Sequence, residues 1–190
     1  MGREFELKYR ADADKIAAIR EKFGEFTPIS METTYYDTPD KALGALRWTL
    51  RRRFENGVSI CTVKTPAPGG GRGEWETEQD DILAAIPVLC GMGAPEELIR
   101  CTSGGIVPVC GARFTRLAKK LDLENCTVEL ALDQGQLLGG SKVLPFAEVE
   151  VEVKSGSEEA AAAFADTLAA EYGLVTEEAS KFKRALALAS

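Results

Sequence analysis

The sequence predicts an α+β fold: about eight strands in one antiparallel barrel or curled sheet, with helices packed against it. Three observations predict it. Charged and apolar residues alternate with a period of two in segment after segment, the mark of strands whose side chains point to opposite faces. Two segments near the C-terminus instead carry apolar residues at helical spacing. No long repeat or domain linker divides the 190 residues, a length suited to one well-cored domain, here residues 1–190, and short for two.

The opening segment Arg3–Arg10 sets the pattern, with apolar Phe5, Leu7 and Tyr9 alternating with charged Glu4, Glu6 and Lys8. Asp12 or Asp14 can cap a helix bearing Ile16, Ile19 and Phe23 and ended by Gly24. Thr33–Asp37 reads as extended, and Asp37-Thr38-Pro39-Asp40 as a turn. Leu46–Phe54 and Val58–Thr65 read as strands joined by a hairpin turn at Asn56-Gly57. A Pro/Gly-rich loop, residues 66–71, precedes an extended run from Glu74 to Glu78. Between residues 80 and 100, Pro87 limits the chain to short helical pieces. Strands are expected again at Ile106–Val109, Arg113–Lys119 and Cys126–Asp133, then a turn at Gln134-Gly135 and a strand at Phe146–Lys154. Ser157 caps a helix with an inner stripe of Ala161, Phe164, Ala165, Leu168 and Tyr172, ended by Gly173. Thr176 is the expected cap of the last helix, with Ala179, Phe182 and Leu186 inward.

Composition narrows the chemistry. A net charge of −7 argues against a general binder of nucleic acid or anionic membrane. No apolar run approaches the ~20 residues of a membrane span, and the charged, strand-like start does not read as a signal peptide. Five cysteines without finger-like spacing read as small hydrophobes in a reducing cytoplasm. There is no histidine, which removes Ser-His-Asp and Cys-His systems and most zinc sites. Chemistry must run on carboxylates, Lys and Arg, with a hard metal such as Mg²⁺ or Mn²⁺ that prefers oxygen ligands.

The charges are segregated by strand. Glu148, Glu150 and Glu152 share a face, as do Glu129 and Asp133, and Glu74, Glu76 and Glu78. Arg51 and Arg53 share another, with Lys64 at the end of the hairpin's second strand. Carboxylates side by side on a strand repel and need a counter-charge. Two architectures satisfy such strands: polar faces outward around an ordinary core, or a barrel with apolar faces outward and charged faces lining its lumen. Separation of acid and base into different strands is a poor solubility device. It suits a polyanion with bound metal, because Lys and Arg hold phosphate oxygens while carboxylates hold the bridging cation.

The ordered set of charged elements resembles the CYTH domains, the triphosphate tunnel metalloenzymes, along nearly the whole chain. Glu4-Phe5-Glu6-Leu7-Lys8 resembles their ExExK signature, Tyr35-Tyr36-Asp37-Thr38-Pro39 a YYDTP-like turn, Leu50-Arg51-Arg52-Arg53 an LRxR strand and Thr62-Val63-Lys64 a TxK element. Arg72-Gly73-Glu74, Phe114-Thr115-Arg116, Glu129 to Asp133, Glu148-Val149-Glu150 and Ser180-Lys181 follow in the family's order. The resemblance implies an eight-stranded antiparallel barrel forming a tunnel for a triphosphate, with helices outside. It implies metal-binding carboxylates at Glu4, Glu6, Glu148, Glu150 and Glu152, and phosphate contacts from Lys8, Arg51, Arg53, Lys64, Arg116 and Lys181. Glu150, Glu129 and Lys8 are its candidate catalytic groups. Two departures stand out: Arg52 replaces an apolar outward residue, and Ala131 stands where some relatives carry an acid.

The activity so implied is Mg²⁺- or Mn²⁺-dependent hydrolysis of inorganic triphosphate to pyrophosphate and phosphate. The alternatives are a thiamine triphosphatase, a class IV adenylyl cyclase, or a sensor that binds polyphosphate or nucleotide without turnover. Trp48 and Trp75 are the aromatic groups able to stack on a base or thiazolium, but by parity both face away from the charged residues and read as packing. The expected partner is a small-molecule triphosphate, with no nucleic acid and no membrane. Outward apolar barrel surface not covered by helices is a candidate homodimer contact.

Overall fold

The opening strand is split at Phe5 because its two halves pair with different neighbours. The computed structural model describes residues 2–190, and in it β1 (Gly2–Glu4) and β2 (Glu6–Arg10) are the two halves. They are followed by α1 (Ala13–Phe23), β3 (Thr27–Asp37), α2 (Ala42–Ala45), β4 (Thr49–Glu55), β5 (Val58–Pro66) and β6 (Arg72–Glu78). Then come α3 (Ile82–Gly91), α4 (Glu97–Thr102), β7 (Val107–Asp122), β8 (Cys126–Gly139), β9 (Lys142–Gly156), α5 (Glu158–Tyr172), β10 (Val175–Thr176) and α6 (Lys181–Leu188).

The sheet runs β1-β6-β5-β4-β3-β7-β8-β9-β2-β10, antiparallel at every pairing. Its two ends meet on the opening strand, where β1 pairs with β6 through Glu4↔Arg72 and β2 pairs with β9 through Lys8↔Glu150. Counting β1 and β2 as one strand and setting β10 aside, eight strands close the barrel. The end strands of the ladder, β1 and β10, are only 3 and 2 residues long, so little free edge is presented.

Apolar faces point outward under two helical layers. Tyr9, Leu130, Leu132, Val149 and Val151 pack with α1 and α5, and Leu50, Val63 and Trp75 pack with α2, α3 and α4. Trp48 packs against the second layer, so both tryptophans take the packing role. Arg52 reaches from the outer face to the Asp80 carbonyl at 2.9 Å, beside the N-cap of α3. Among the described residues no helix is long and apolar enough to cross a membrane.

Three expectations are corrected. Gln134-Gly135 is not a turn: β8 runs straight through it. A side chain at Gly135 would overlap the Arg113 carbonyl and crowd Phe114, so this glycine serves close strand approach. The separate strands expected at 106–109 and 113–119 are one long strand, β7. The last helix is capped by Ser180, whose side chain accepts from the Lys183 N–H, while Thr176 lies in β10 against Tyr9. That shift turns Ala185 inward and places α6 against the barrel interior, where it meets Met31, Ala112, Phe114 and Leu137. One end of the lumen is therefore apolar and filled.

Candidate functional site

The rest of the lumen is a charged cavity of about 500 Å³, within the ~300–1,000 Å³ usual for small-molecule sites. Strand parity builds it. On β2 the pleat turns Glu6 and Lys8 inward and Leu7 and Tyr9 outward; the same rule brings in Arg51 and Arg53 of β4, Lys64 of β5, Arg116 of β7, Glu129 of β8, and Glu150 and Glu152 of β9. Lys181 enters from the first turn of α6. Of the metal, phosphate-binding and catalytic candidates named in the sequence, Glu148 alone is absent from the cavity lining: it is fully buried below it, bonded to Lys181 and Arg184.

Two carboxylate groups stand out. Oxygens of Glu4, Glu6 and Glu152 lie within 4.8 Å of one another, as do those of Asp133, Glu148 and Glu150. In the first group, Lys64 donates to both oxygens of Glu4 at 2.8 and 2.7 Å and approaches Glu74 at 3.4 Å. Lys154 reaches Glu152 at 3.1 Å from an exposed position, while Glu6 has no bonded cation among the described residues. Burial, reinforced by the neighbouring Glu150 charge, pushes the Glu6 carboxyl up to about 8. Clustered hard oxygens, including a Glu6 carboxyl whose proton a cation can replace, are the donor set for Mg²⁺ or Mn²⁺, so these residues fit that cation.

The second group is already neutralised. Arg116 grips Asp133 with two bonds of 2.8 Å and reaches Glu150 at 3.0 Å. Lys181 Nζ lies 2.8 Å from Asp133, 3.1 Å from Glu148 and 2.7 Å from Glu150. Burial alone would raise Glu150, but Lys181 and Arg116 outweigh it and hold its carboxyl well below the ordinary range. The same carboxylates outweigh burial for Lys181 and raise its ammonium.

The basic wall is the reverse case. Among the described residues, Lys8, Arg51, Arg53 and Arg72 form no ion pair. Arg53 Nε donates to Thr33 Oγ1 at 2.7 Å and its guanidinium lies over the Phe114 ring. Burial and the adjacent Arg51 lower Arg53 to about 10. The Nε atoms of Arg51 and Arg72 are buried without a hydrogen-bond partner. Buried cations lacking counter-ions are costly and call for an anionic guest.

Three site residues, Asp133, Arg72 and Arg184, have no site role assigned from the sequence. Asp133 was signalled by its parity with Glu129, and Arg72 by its parity with Glu74. Arg184 lies one turn beyond Lys181 on α6, and its 2.6 Å bond to Glu148 becomes predictable only once the helix start is known. Asp37, within the YYDTP-like turn, is structural: its carboxylate accepts from the N–H groups of Thr38, Leu43 and Gly44 at 2.7, 2.9 and 3.0 Å.

Comparison with known proteins agrees with this architecture. The CYTH domain family model matches residues 2–186. An inorganic triphosphatase of Haemophilus influenzae is 27% identical over 197 aligned positions, covering 100% of this chain and 56% of the relative; the chain thus spans about half the length of that curated relative. Among solved structures, a candidate adenylate cyclase from Bacillus halodurans superposes with a TM-score of 0.65 at 19% identity, covering 95% of this chain and 96% of that one. HpAC1 from Hippeastrum, a candidate adenylyl cyclase with a dominant triphosphatase activity, gives 0.64 at 19% identity, covering 94% and 93%. PH1819 from Pyrococcus horikoshii gives 0.64 at 24% identity, covering 97% and 99%. With a family match over nearly its whole length and the same fold in these structures, the chain belongs to the CYTH domain family.

Proposed function

We propose that this protein hydrolyses inorganic triphosphate to pyrophosphate and phosphate with Mg²⁺ or Mn²⁺. The observation that carries the reading is the pairing, in one cavity, of unpaired Arg51 and Arg53 guanidinium groups with the under-neutralised cluster of Glu4, Glu6 and Glu152. The first set needs an anion and the second a cation, and a metal-bound polyphosphate supplies both. The triphosphatase of Haemophilus influenzae supports the same reaction class.

In this reading Arg51, Arg53 and Lys8 bind and orient the phosphate chain, each guanidinium gripping two oxygens. Lys64, released in part from Glu4, adds a point charge beside them. Glu4, Glu6 and Glu152 would hold the cation, which when bound neutralises phosphate charge and polarises the phosphoryl group. The positive wall stabilises charge that moves onto the leaving pyrophosphate. Glu150, held low by two cations, is a poor proton acceptor. Glu129 lines the cavity, has no bonded cation among the described residues, and is the better carboxylate to take a proton from the attacking water.

The test compares phosphate release from tripolyphosphate, ATP and thiamine triphosphate, each with Mg²⁺, Mn²⁺ or EDTA, and assays cyclic AMP from ATP. The highest kcat/KM on tripolyphosphate, abolished by EDTA, is expected. Preference for thiamine triphosphate or formation of cyclic AMP would move the assignment within the family. Tight binding without release would make the protein a sensor.

A further inference from the structure

The triad of Asp133, Glu148 and Glu150 has the composition of a second divalent-ion site, yet a side chain fills it. Lys181 Nζ lies within 3.1 Å of all three carboxylates, and an ammonium has three N–H donors and no more. Two of these donate hydrogen bonds to Glu148 and Glu150, and Asp133 stands beside them at ion-pair distance, so the ammonium is enclosed by protein oxygens. The remaining charge is balanced as well: Arg116 holds Asp133 and Glu150, and Arg184 holds Glu148 at 2.6 Å. Three carboxylates thus face three cations, two of which come from α6. Asp133 and Glu148 are each 0% exposed and Lys181 is 7% exposed, so no water shell competes for these bonds.

The Glu4–Glu6–Glu152 group differs on each count. Lys64 touches only Glu4 of the three, Lys154 reaches Glu152 from the exposed rim, and among the described residues Glu6 has no bonded cation. One acid cluster is thus open to an ion and the other is closed by the protein itself.

We infer that Lys181 is the resident cation of the Asp133–Glu148–Glu150 triad, standing where a second divalent ion would bind, and that Asp133, Glu148 and Arg184 are positioning residues that hold it there. Lys181 is then occupied with protein and is not a phosphate ligand. Docking of α6 is what closes the triad, because Lys181 and Arg184 lie on successive turns of that helix. Removing the ammonium leaves buried carboxylates with too little positive charge, a state that a divalent ion relieves. This inference is independent of whether the Glu4–Glu6–Glu152 group takes a metal.

The experiment counts Mn²⁺ ions bound per chain, by the loss of the free-ion paramagnetic resonance signal, on EDTA-stripped protein without any phosphate. Wild type is expected to bind no more than one ion, Lys181→Ala one more than wild type, and Glu148→Gln the same number as wild type. Melting of Lys181→Ala should rise by roughly 5–10 °C at a hundredfold excess of Mn²⁺ over its Kd. Two ions on wild type, an ion lost in Glu148→Gln, or an unchanged count in folded Lys181→Ala would overturn the inference. Should Lys181→Ala not fold, the wild-type and Glu148→Gln counts decide. A wild type that binds no ion at all contradicts the metal-dependent reading of the open cluster but leaves this inference standing.

Discussion

Lys64 donates to both carboxylate oxygens of Glu4, at 2.8 and 2.7 Å, and so ties β5 to the opening strand across the inside of the barrel. The pair is nearly enclosed, with side chains 14% and 7% exposed. Lys64→Met should therefore cost about 3 kcal/mol in EDTA, since removing one partner strands a buried charge. Mg²⁺ should restore part of the loss by replacing the missing ammonium beside Glu4. Chemical denaturation with and without Mg²⁺ checks both statements.

Arg53 sets stability against binding. It is buried and beside another cation, and among the described residues it pairs with no carboxylate and hydrogen-bonds only to Thr33. Arg53→Met should raise the melting temperature of the unliganded protein while weakening tripolyphosphate binding by about 10- to 100-fold, the worth of a charge-assisted contact. Calorimetric titration and thermal melting on the same preparation read the two effects. A fall in both would show that Arg53 serves the core and not a ligand.

Glu6 makes the metal-free protein sensitive to pH in a defined direction. Its folded value of about 8 lies above that of an unfolded chain, so the folded state retains a proton that the unfolded state gives up. Stability in EDTA should therefore fall as pH rises from about 4.5 to about 8 and then level off. Glu6→Gln should flatten that stretch of the curve. Saturating Mg²⁺ should remove the slope in wild type, as a cation takes the proton's place.

The seating of α6 depends on Gly139. A Cβ there would overlap the Ala185 carbonyl and come within 2.7 Å of Leu188 Cβ, and helix backbone cannot yield as a side chain can. Gly139→Ala should cost about 1–3 kcal/mol and expose Lys183 and Arg184 to trypsin. Limited proteolysis followed by mass spectrometry locates the cut.

Much of this architecture is legible in the chain because a barrel wall obeys the simplest rule available, the period of two. Glu6 and Lys8, or Glu150 and Glu152, must share a face once their strands exist, so the lumen side could be read from parity alone. Asn56-Gly57 marked its turn because both residues adopt positive φ, 50° and 85°. Gln134-Gly135 misled because glycine also serves close approach within a strand. What parity cannot show is which charges meet. Glu148 and Glu150 are equivalent in the sequence, yet one is sealed beneath α6 and the other faces the cavity. That difference arises from where a helix some thirty residues later docks, and placing its cap at Thr176 instead of Ser180 hides both Arg184 and the apolar plug at Ala185.

The most direct test of the central claim is phosphorus NMR of EDTA-stripped protein with tripolyphosphate, before and after Mg²⁺ is added. An unchanged spectrum is expected before addition, then stoichiometric appearance of pyrophosphate and phosphate, at a rate cut at least tenfold in Glu6→Gln. Intact tripolyphosphate after Mg²⁺ addition, with the protein folded, would contradict it.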